Sequence, residues 1–181
     1  ELFEVCYHDV IRSLIKRYEW IRESACECAA LIGDVKLLEY AHTHGCPMYQ
    51  TTCDSAAAEG HLDCLTYAHT HGCEWNKWTC MYAVIGGHLD CLMYAHLNGC
   101  PWDVETCSSA ARGGNLDCLI YARLNGCPWN EDTCKYAALD GHLDCLIYAH
   151  THGCPWDSRT CSHAALEGHI DCLKYAHLIG C

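Results

Sequence analysis

The phrase GHLDCLMYAHLNGCPW, at residues 87–102, decides the fold because it recurs along the chain with a period of 27 residues. Each copy opens with a glycine, and these glycines are Gly33, Gly60, Gly87, Gly114, Gly141 and Gly168. A fixed period of this length indicates a repeat array. We therefore divide residues 20–181 into six repeats of 27 residues, the last one truncated, and interpret residues 1–19 as a divergent N-terminal helical cap or partial repeat.

The half of the repeat that follows the glycine is predicted to be a helix. Leu89, Leu92 and His96 lie on one stripe at helical spacing, with Cys91 and Ala95 beside it, which is typical of a half-buried helix. Gly99 is expected to end this helix in the left-handed conformation, and Pro101 prevents the helix from continuing.

The other half of the repeat is predicted to be a second helix, which begins near Thr106 as its N-cap and stops at Gly113–Gly114. No segment alternates with a period of two residues, so no strand is expected. One such helix pair is too small to bury its own apolar face, whereas stacked copies cover one another. The predicted fold class is therefore an all-α helix-turn-helix solenoid.

The repeat resembles the ankyrin repeat. Residues 133–157 read TCKYAALDGHLDCLIYAHTHGCPWD, and they follow the ankyrin pattern at Ala137–Ala138, Gly141–His142 and Gly153–Cys154. The unit is shorter than the roughly 33 residues of an ankyrin repeat, and the missing length falls where ankyrin repeats carry a β-hairpin finger. The resemblance thus implies an ankyrin-like solenoid with shortened loops that lack these fingers.

The GCPWD-type repeat is similar to divergent ankyrin arrays encoded by large DNA viruses and by protists. This resemblance implies a non-catalytic scaffold for protein–protein interaction at an intracellular, cytoplasmic location, which is the host cytoplasm or the virion if the source is viral. The alternative function is a structural or self-assembling component of a larger particle or filament. That component could be stabilised by zinc bound to Cys and His.

The composition disfavours several other classes of function. The chain has 11 basic and 23 acidic residues and a formal net charge of −12, which argues against binding to a phosphate backbone. It has no apolar run long enough to cross a membrane. Cys and His recur in register, whereas an active site is normally a single constellation. We therefore expect neither an enzyme nor a nucleic-acid or membrane partner, and we assign no catalytic residue.

Positions that vary between repeats are free to contact a partner, because the recurring positions hold the stack. The candidate partner-binding residues are Lys77, Trp78, Met81, Glu105, Ser108, Arg112, Asp132, Lys135, Arg159 and Ser162. By the ankyrin resemblance they lie on or near the concave face. Trp78 and Met81 would form an apolar anchor, and Arg112, Lys135 and Arg159 a sparse basic line. The partner is expected to be another protein, and self-association is also open.

The 19 cysteines fall mainly into three registers of the repeat. Those after the helix-ending glycine are Cys46, Cys73, Cys100, Cys127, Cys154 and Cys181. Those in the first helix are Cys26, Cys53, Cys80, Cys107, Cys134 and Cys161. Those in the middle of the second helix are Cys64, Cys91, Cys118, Cys145 and Cys172. The preferred interpretation is that these cysteines are small buried apolar groups.

Two other roles for the cysteines stay open at this point. His69, Cys73 and Cys80 could supply three of the four ligands of a structural zinc ion, although Arg123 stands at the position of His69 in another repeat. A disulfide between Cys73 and Cys80 is the third possibility, and it requires an oxidising compartment. No cofactor is expected otherwise.

Two aromatic columns and one histidine position also recur once per repeat. The tyrosines, such as Tyr121, and the tryptophans, such as Trp102, are predicted to fill space in the stack rather than to bind a stacking ligand. The histidines after the turn glycine, such as His142 and His169, are expected to bond the backbone across the loop.

Overall fold

The computed structural model describes the backbone of residues 2–180 and the side chains of residues 9–15 and 17–180. The described backbone forms thirteen α-helices and no strand. The helices are α1 (Leu2–Arg17), α2 (Glu19–Leu31), α3 (Val35–Thr43), α4 (Gln50–Ala58), α5 (Leu62–Thr70), α6 (Lys77–Gly86), α7 (Leu89–Leu97), α8 (Val104–Arg112), α9 (Leu116–Leu124), α10 (Glu131–Leu139), α11 (Leu143–Thr151), α12 (Ser158–Leu166) and α13 (Ile170–Leu178). Cys181 lies outside the described residues.

The chain divides into two compact units, Glu1–Trp75 and Asn76–Cys181. In the first unit α1 packs against α2 and α3, and α2 and α3 pack against α4 and α5 respectively. In the second unit α6, α8, α10 and α12 form one row of packed helices, and α7, α9, α11 and α13 form another. Each helix also contacts its neighbour along the chain within the repeat. The predicted all-α arrangement of helix pairs, joined by loops without β-hairpins, is confirmed for residues 2–180.

The first helix of each repeat in the second unit begins at an Asn or Asp cap. The caps are Asn76, Asp103, Asn130 and Asp157, and each side chain accepts a hydrogen bond from the N–H two residues later. The prediction that Thr106 is the N-cap is therefore wrong. The helix starts earlier because Asp103 supplies the cap, while the hydroxyl of Thr106 accepts from the Asp103 N–H at 3.4 Å and completes a capping box.

Small side chains line the seam where the helices pack. Cys91, Leu92 and Ala95 are fully buried on α7, and Cys107 and Ala111 are fully buried on α8. The predicted stripe of α7 is buried at Leu92 and half-buried at Leu89 and His96, and the fully buried Cys91 and Ala95 lie beside it, as predicted. Of the sixteen free cysteines, all but Cys28 are buried. The interpretation of these cysteines as small buried apolar groups is confirmed for them.

The glycine turns join the helices and also receive a side chain from the following repeat. Gly141 has φ +80°, and a Cβ placed on it would lie 2.5 Å from Nδ1 of His169. The predicted hydrogen bond to the backbone is made by Asn115 instead, whose Nδ2 donates to the carbonyls of Val84 and Ile85 at 2.7 and 3.1 Å. The histidine at this register packs its ring on the glycine of the preceding repeat.

Gly141 and Gly153, which belong to one repeat, allow the strain of a left-handed backbone to be measured separately from the effect of the His169 ring contact. Gly153 has φ +81°, and a Cβ placed on it would have nothing within 4 Å. We expect Gly153→Ala to lower the free energy of unfolding by about 1–2 kcal/mol, through backbone strain alone. Gly141→Ala should lower the free energy of unfolding by roughly 1 kcal/mol more than Gly153→Ala, because the His169 ring must also move. Urea unfolding curves measure both values.

The double variant Gly141→Ala/His169→Ala is the control for the ring contact. The cost of placing alanine at 141 in the His169→Ala background should fall to that of Gly153→Ala. Equal losses for the two single variants would contradict the assigned contact.

Candidate partner-binding face

The aromatic columns pack within and between neighbouring repeats. The ring of Trp102 stacks on His96 with centroids 3.8 Å apart, and the hydroxyl of Tyr121 in the next repeat lies 2.9 Å from Nδ1 of the same histidine. Where Arg123 replaces the histidine, its guanidinium lies over Trp129 at 4.3 Å from the ring centroid. These contacts support the interpretation that the columns hold the stack.

The residues named for zinc and for a disulfide have other partners. His69 stacks on Trp75 at 3.7 Å between ring centroids, and the thiol of Cys73 donates to the carbonyl of Tyr49 at 3.0 Å. Cys73 and Cys80 are both free, so the disulfide proposed between them is wrong. Among the side chains that the structure describes, no three of His, Cys, Asp or Glu come together in a group that could hold a metal ion.

The first helix of the second unit exposes an apolar stripe. Trp78, Tyr82 and Ile85 follow one another at i, i+4 and i+7 on α6, and their exposed fractions are 41%, 38% and 50%. Large apolar side chains that remain exposed in a row on one helix are typical of a surface that meets another molecule.

Five of the candidate partner-binding residues line one open cavity beside this stripe. The cavity has a volume of about 260 Å³, and its lining is Trp78, Met81, Glu105, Ser108, Ser109, Arg112 and Tyr136. It lies along α6, α8 and α10, which are neighbours in the row of first helices. Varying positions of three repeats are thus brought together in one place, although they are far apart in the sequence.

A second cavity adjoins the first at Ser109 and Arg112. Its volume is about 410 Å³, and its lining is Ile85, Ser109, Arg112, Gly113, Asp140 and His142. Comparison of the repeats could have found Ile85, because this position aligns with Arg112 and varies between copies. His142 was missed because it belongs to a recurring register. The two cavities and the stripe on α6 are together called the partner face below.

The cations of this region are paired with carboxylates, so the predicted basic line is not a strip of free positive charge. Arg112 lies 3.3 Å from Asp140, and Lys135 is bonded to Asp132. The Lys135 side chain is also only 13% exposed, so it contributes little to an outer surface. Its hydrogen bond to Asp132 raises the pKa of Lys135. The prediction of a basic line is therefore corrected.

The remaining candidate residues form local polar contacts. Lys77 bridges the next repeat through Asp103 at 2.8 Å and Glu105 at 3.1 Å, and these hydrogen bonds raise its pKa. The exposed Arg159 lies 2.8 Å from Asp157, and it lowers the pKa of that carboxyl. Ser108 is buried beneath the face, and Ser162 bonds to the carbonyl of Ser158 within α12.

The stacked helix pairs, glycine turns and finger-less loops define an ankyrin-like repeat fold. One solved structure that resembles the chain is the crystal structure of the human ASB11 ankyrin repeat domain, with a TM-score of 0.73. The match covers 86% of this chain and 83% of that chain at 15% sequence identity, so it shows the fold alone. No protein-family model matches the sequence, and no curated protein sequence matches it. No helix in the described part of the chain is long and apolar enough to span a membrane.

Substitution of Trp78 and of Trp102 tests whether each residue belongs to the partner face or to the stack. We expect Trp102→Ala to lower the free energy of unfolding by about 1 kcal/mol or more, because it removes the ring stacked on His96. Trp78→Ala should change the free energy of unfolding by no more than about 0.5 kcal/mol, because Trp78 is a surface residue. Urea unfolding of both variants tests this difference. A loss for Trp78→Ala as large as that for Trp102→Ala would mean that Trp78 belongs to the stack.

Proposed function

We propose that the chain is a non-catalytic scaffold for protein–protein interaction and that it binds its partner with the partner face of residues 76–181. The observation that carries this proposal is the convergence of Trp78, Met81, Glu105, Ser108 and Arg112 on one cavity beside an exposed apolar stripe. The ankyrin-like fold supports a protein partner in general, since such folds typically serve as interaction domains.

The chemistry of the face favours a segment with one large apolar side chain. Trp78 and Tyr136 present rings at the first cavity, and Tyr and Trp are the residue types most enriched among energetically dominant contacts. Glu105 and Arg112 offer an acceptor and a donor in the same cavity. The proposed partner therefore inserts an aromatic or aliphatic side chain next to a polar or charged one.

The charge of the chain favours a basic partner. A formal net charge of −12 attracts positive surfaces over long range and speeds their encounter with the array. The same charge, together with the pairing of Arg112 and Lys135 with carboxylates, supports the exclusion of nucleic acid. Sixteen free thiols among the described side chains support the proposed intracellular, cytoplasmic location, including a viral setting, because disulfides are rare in reducing compartments, whereas the disulfide-bonded Cys161 does not add to this support.

Peptide selection tests the partner face directly. Random peptides displayed on phage are selected against the chain, and the affinities of synthetic copies are measured by fluorescence anisotropy. We expect Trp78→Ala and Arg112→Ala to raise the Kd at least about tenfold, which corresponds to about 1.4 kcal/mol. Selected peptides should share an apolar residue next to a polar or charged one.

Leu124→Ala is the matched control, because Leu124 is 77% exposed at the end of α9 and lines neither cavity. Its Kd should stay within about twofold of that of the unchanged chain. Binding that survives Trp78→Ala and Arg112→Ala would exclude the partner face. Sedimentation of the chain at micromolar concentration addresses the self-assembling alternative, since a polymer lost in Trp78→Ala would make a second copy the partner.

A further inference from the structure

Each repeat brings together two cysteines that stand 20 positions apart in the sequence. Cys107 on α8 points its thiol at the carbonyl of Cys127 after α9, with a sulfur–oxygen distance of 4.0 Å. Cys80 and Cys26 point their thiols at the carbonyls of Cys100 and Cys46 in the same way, at 3.9 and 3.6 Å. The helix pair thus places two thiols side by side at its closed end, although the chain separates them by a whole helix and two turns.

The loop cysteine is held in place from two sides. The thiol of Cys127 donates to the carbonyl of the cap residue Asp103 at 3.3 Å, and its backbone N–H donates to the carbonyl of Ala122 at 2.9 Å. Cys100 and Cys154 repeat the thiol contact to their own caps at 3.1 and 3.2 Å. Since the caps fix the start of each first helix, the loop sulfur is held beside that start in these three repeats.

The cysteines in the middle of the second helix are buried like the paired cysteines but do not form such pairs. Cys91 and Cys118 are as deeply buried as the paired cysteines. Burial, followed by the nearby Asp90, raises the pKa of Cys91 to about 12, and burial, followed by Asp117, raises that of Cys118 to about 11. No neighbouring thiol contributes to either shift. Burial alone therefore does not produce a thiol pair.

The last repeat has a disulfide-bonded cysteine at the first-helix position of the thiol pairs. Cys161 occupies the first-helix position on α12, and it is disulfide-bonded. The backbone of α12 nonetheless keeps the same cap and the same length as the first helices of the two preceding repeats. The first-helix register of this fold thus accommodates a disulfide without a change in its helix.

We propose that the thiol pairs are modification sites, at which a low-molecular-weight disulfide such as oxidised glutathione converts each pair into a disulfide within its own repeat. Each pair joins a first-helix cysteine to the loop cysteine 20 positions later, and the pairs are Cys26 with Cys46, Cys53 with Cys73, Cys80 with Cys100, Cys107 with Cys127, and Cys134 with Cys154. This inference is independent of the partner face.

The reaction is a two-step thiol–disulfide exchange. The loop cysteine loses its proton, its sulfur attacks one sulfur of the oxidant, and one small thiolate leaves. The first-helix cysteine then loses its proton and attacks the mixed disulfide at the loop sulfur, which expels the second small thiolate. The two protons end on the two released thiols, so one disulfide of the oxidant is reduced for each protein disulfide formed.

In two of the pairs the loop cysteine is suited to the first step. A hydrogen bond from Cys53 lowers the pKa of Cys73, and one from Cys134 lowers the pKa of Cys154. A lowered pKa increases the thiolate fraction, and the thiolate is the nucleophile. The partner in the first helix has a raised pKa, as for Cys134, chiefly because of the same hydrogen bond and then because of burial.

Refolding in a glutathione buffer tests the pairing, because every thiol is accessible before the fold forms. The full chain is unfolded, refolded with an excess of oxidised over reduced glutathione, alkylated and digested, and the cross-linked peptides are identified by mass spectrometry. We expect the five pairs within repeats to dominate and the mid-helix cysteines to be alkylated. Circular dichroism should show unchanged helical content, and dithiothreitol should restore all the thiols.

Two cysteine variants provide the matched comparison. Cys127→Ser should leave Cys107 alkylated and the other four pairs cross-linked, whereas Cys118→Ser should retain all five disulfides. Dominant cross-links between repeats or to mid-helix cysteines would overturn the proposal. So would complete alkylation of the unchanged chain, or glutathione retained on Cys127. The mapping of the unchanged chain and of Cys118→Ser decides the question even if Cys127→Ser fails to fold.

Discussion

A nine-residue helix such as α7 or α8 is too short to be stable by itself in water, so packing between helices must supply the stability. The seam that supplies it is built from small groups, among them Cys91, Leu92 and Ala95 on α7 and Cys107 and Ala111 on α8, all fully buried. Small side chains let the helix axes approach closely, and sulfur fills the volume that a methyl group would leave empty. Every other feature of the repeat, from its turns to its exposed faces, depends on this close packing.

The same constraint decides where the repeats can differ. Turn glycines, seam cysteines and the His–Trp–Tyr contacts join helices in most of the repeats, and a change there would weaken the stack. The outer positions of the first helices do not join helices, so the residue there can change from repeat to repeat. One such position is Trp78 in one repeat, Glu105 in the next and Asp132 in the one after. Variation on a rigid support is the property that lets one array recognise a particular partner.

The period of 27 residues, the two helices and the buried cysteines could be predicted from the sequence, because spacing and side-chain size determine them. The start of α8 could not be predicted from the sequence, because Asp103 and Thr106 are both residue types that favour the N-cap. The structure shows that Asp103 is the cap and that Thr106 completes the capping box. The partners of Cys73 were also missed. Cys80 is its near neighbour along the chain, whereas the thiol of Cys73 donates to the carbonyl of Tyr49 at the other end of a helix pair, a contact that exists only after folding. Asp140 and His142 were not predicted as members of the partner face for the same reason, since a cavity is lined by residues that are close in space, whatever their position in the repeat.

The thiol pairs and the partner face share one structural element, the cap of the first helix. The thiol of Cys127 donates to the carbonyl of Asp103, while the side chain of Asp103 caps α8 and accepts from Lys77. A disulfide at Cys127 removes the S–H, but the carbonyl of Asp103 still accepts from the N–H of Thr106 at 3.0 Å, and the side chain of Asp103 still caps α8. Because these other bonds hold the cap, α8 keeps its start, and with it the positions of Glu105 and Arg112, when the pair is oxidised. The thiol pairs and the partner face therefore share the cap without depending on each other.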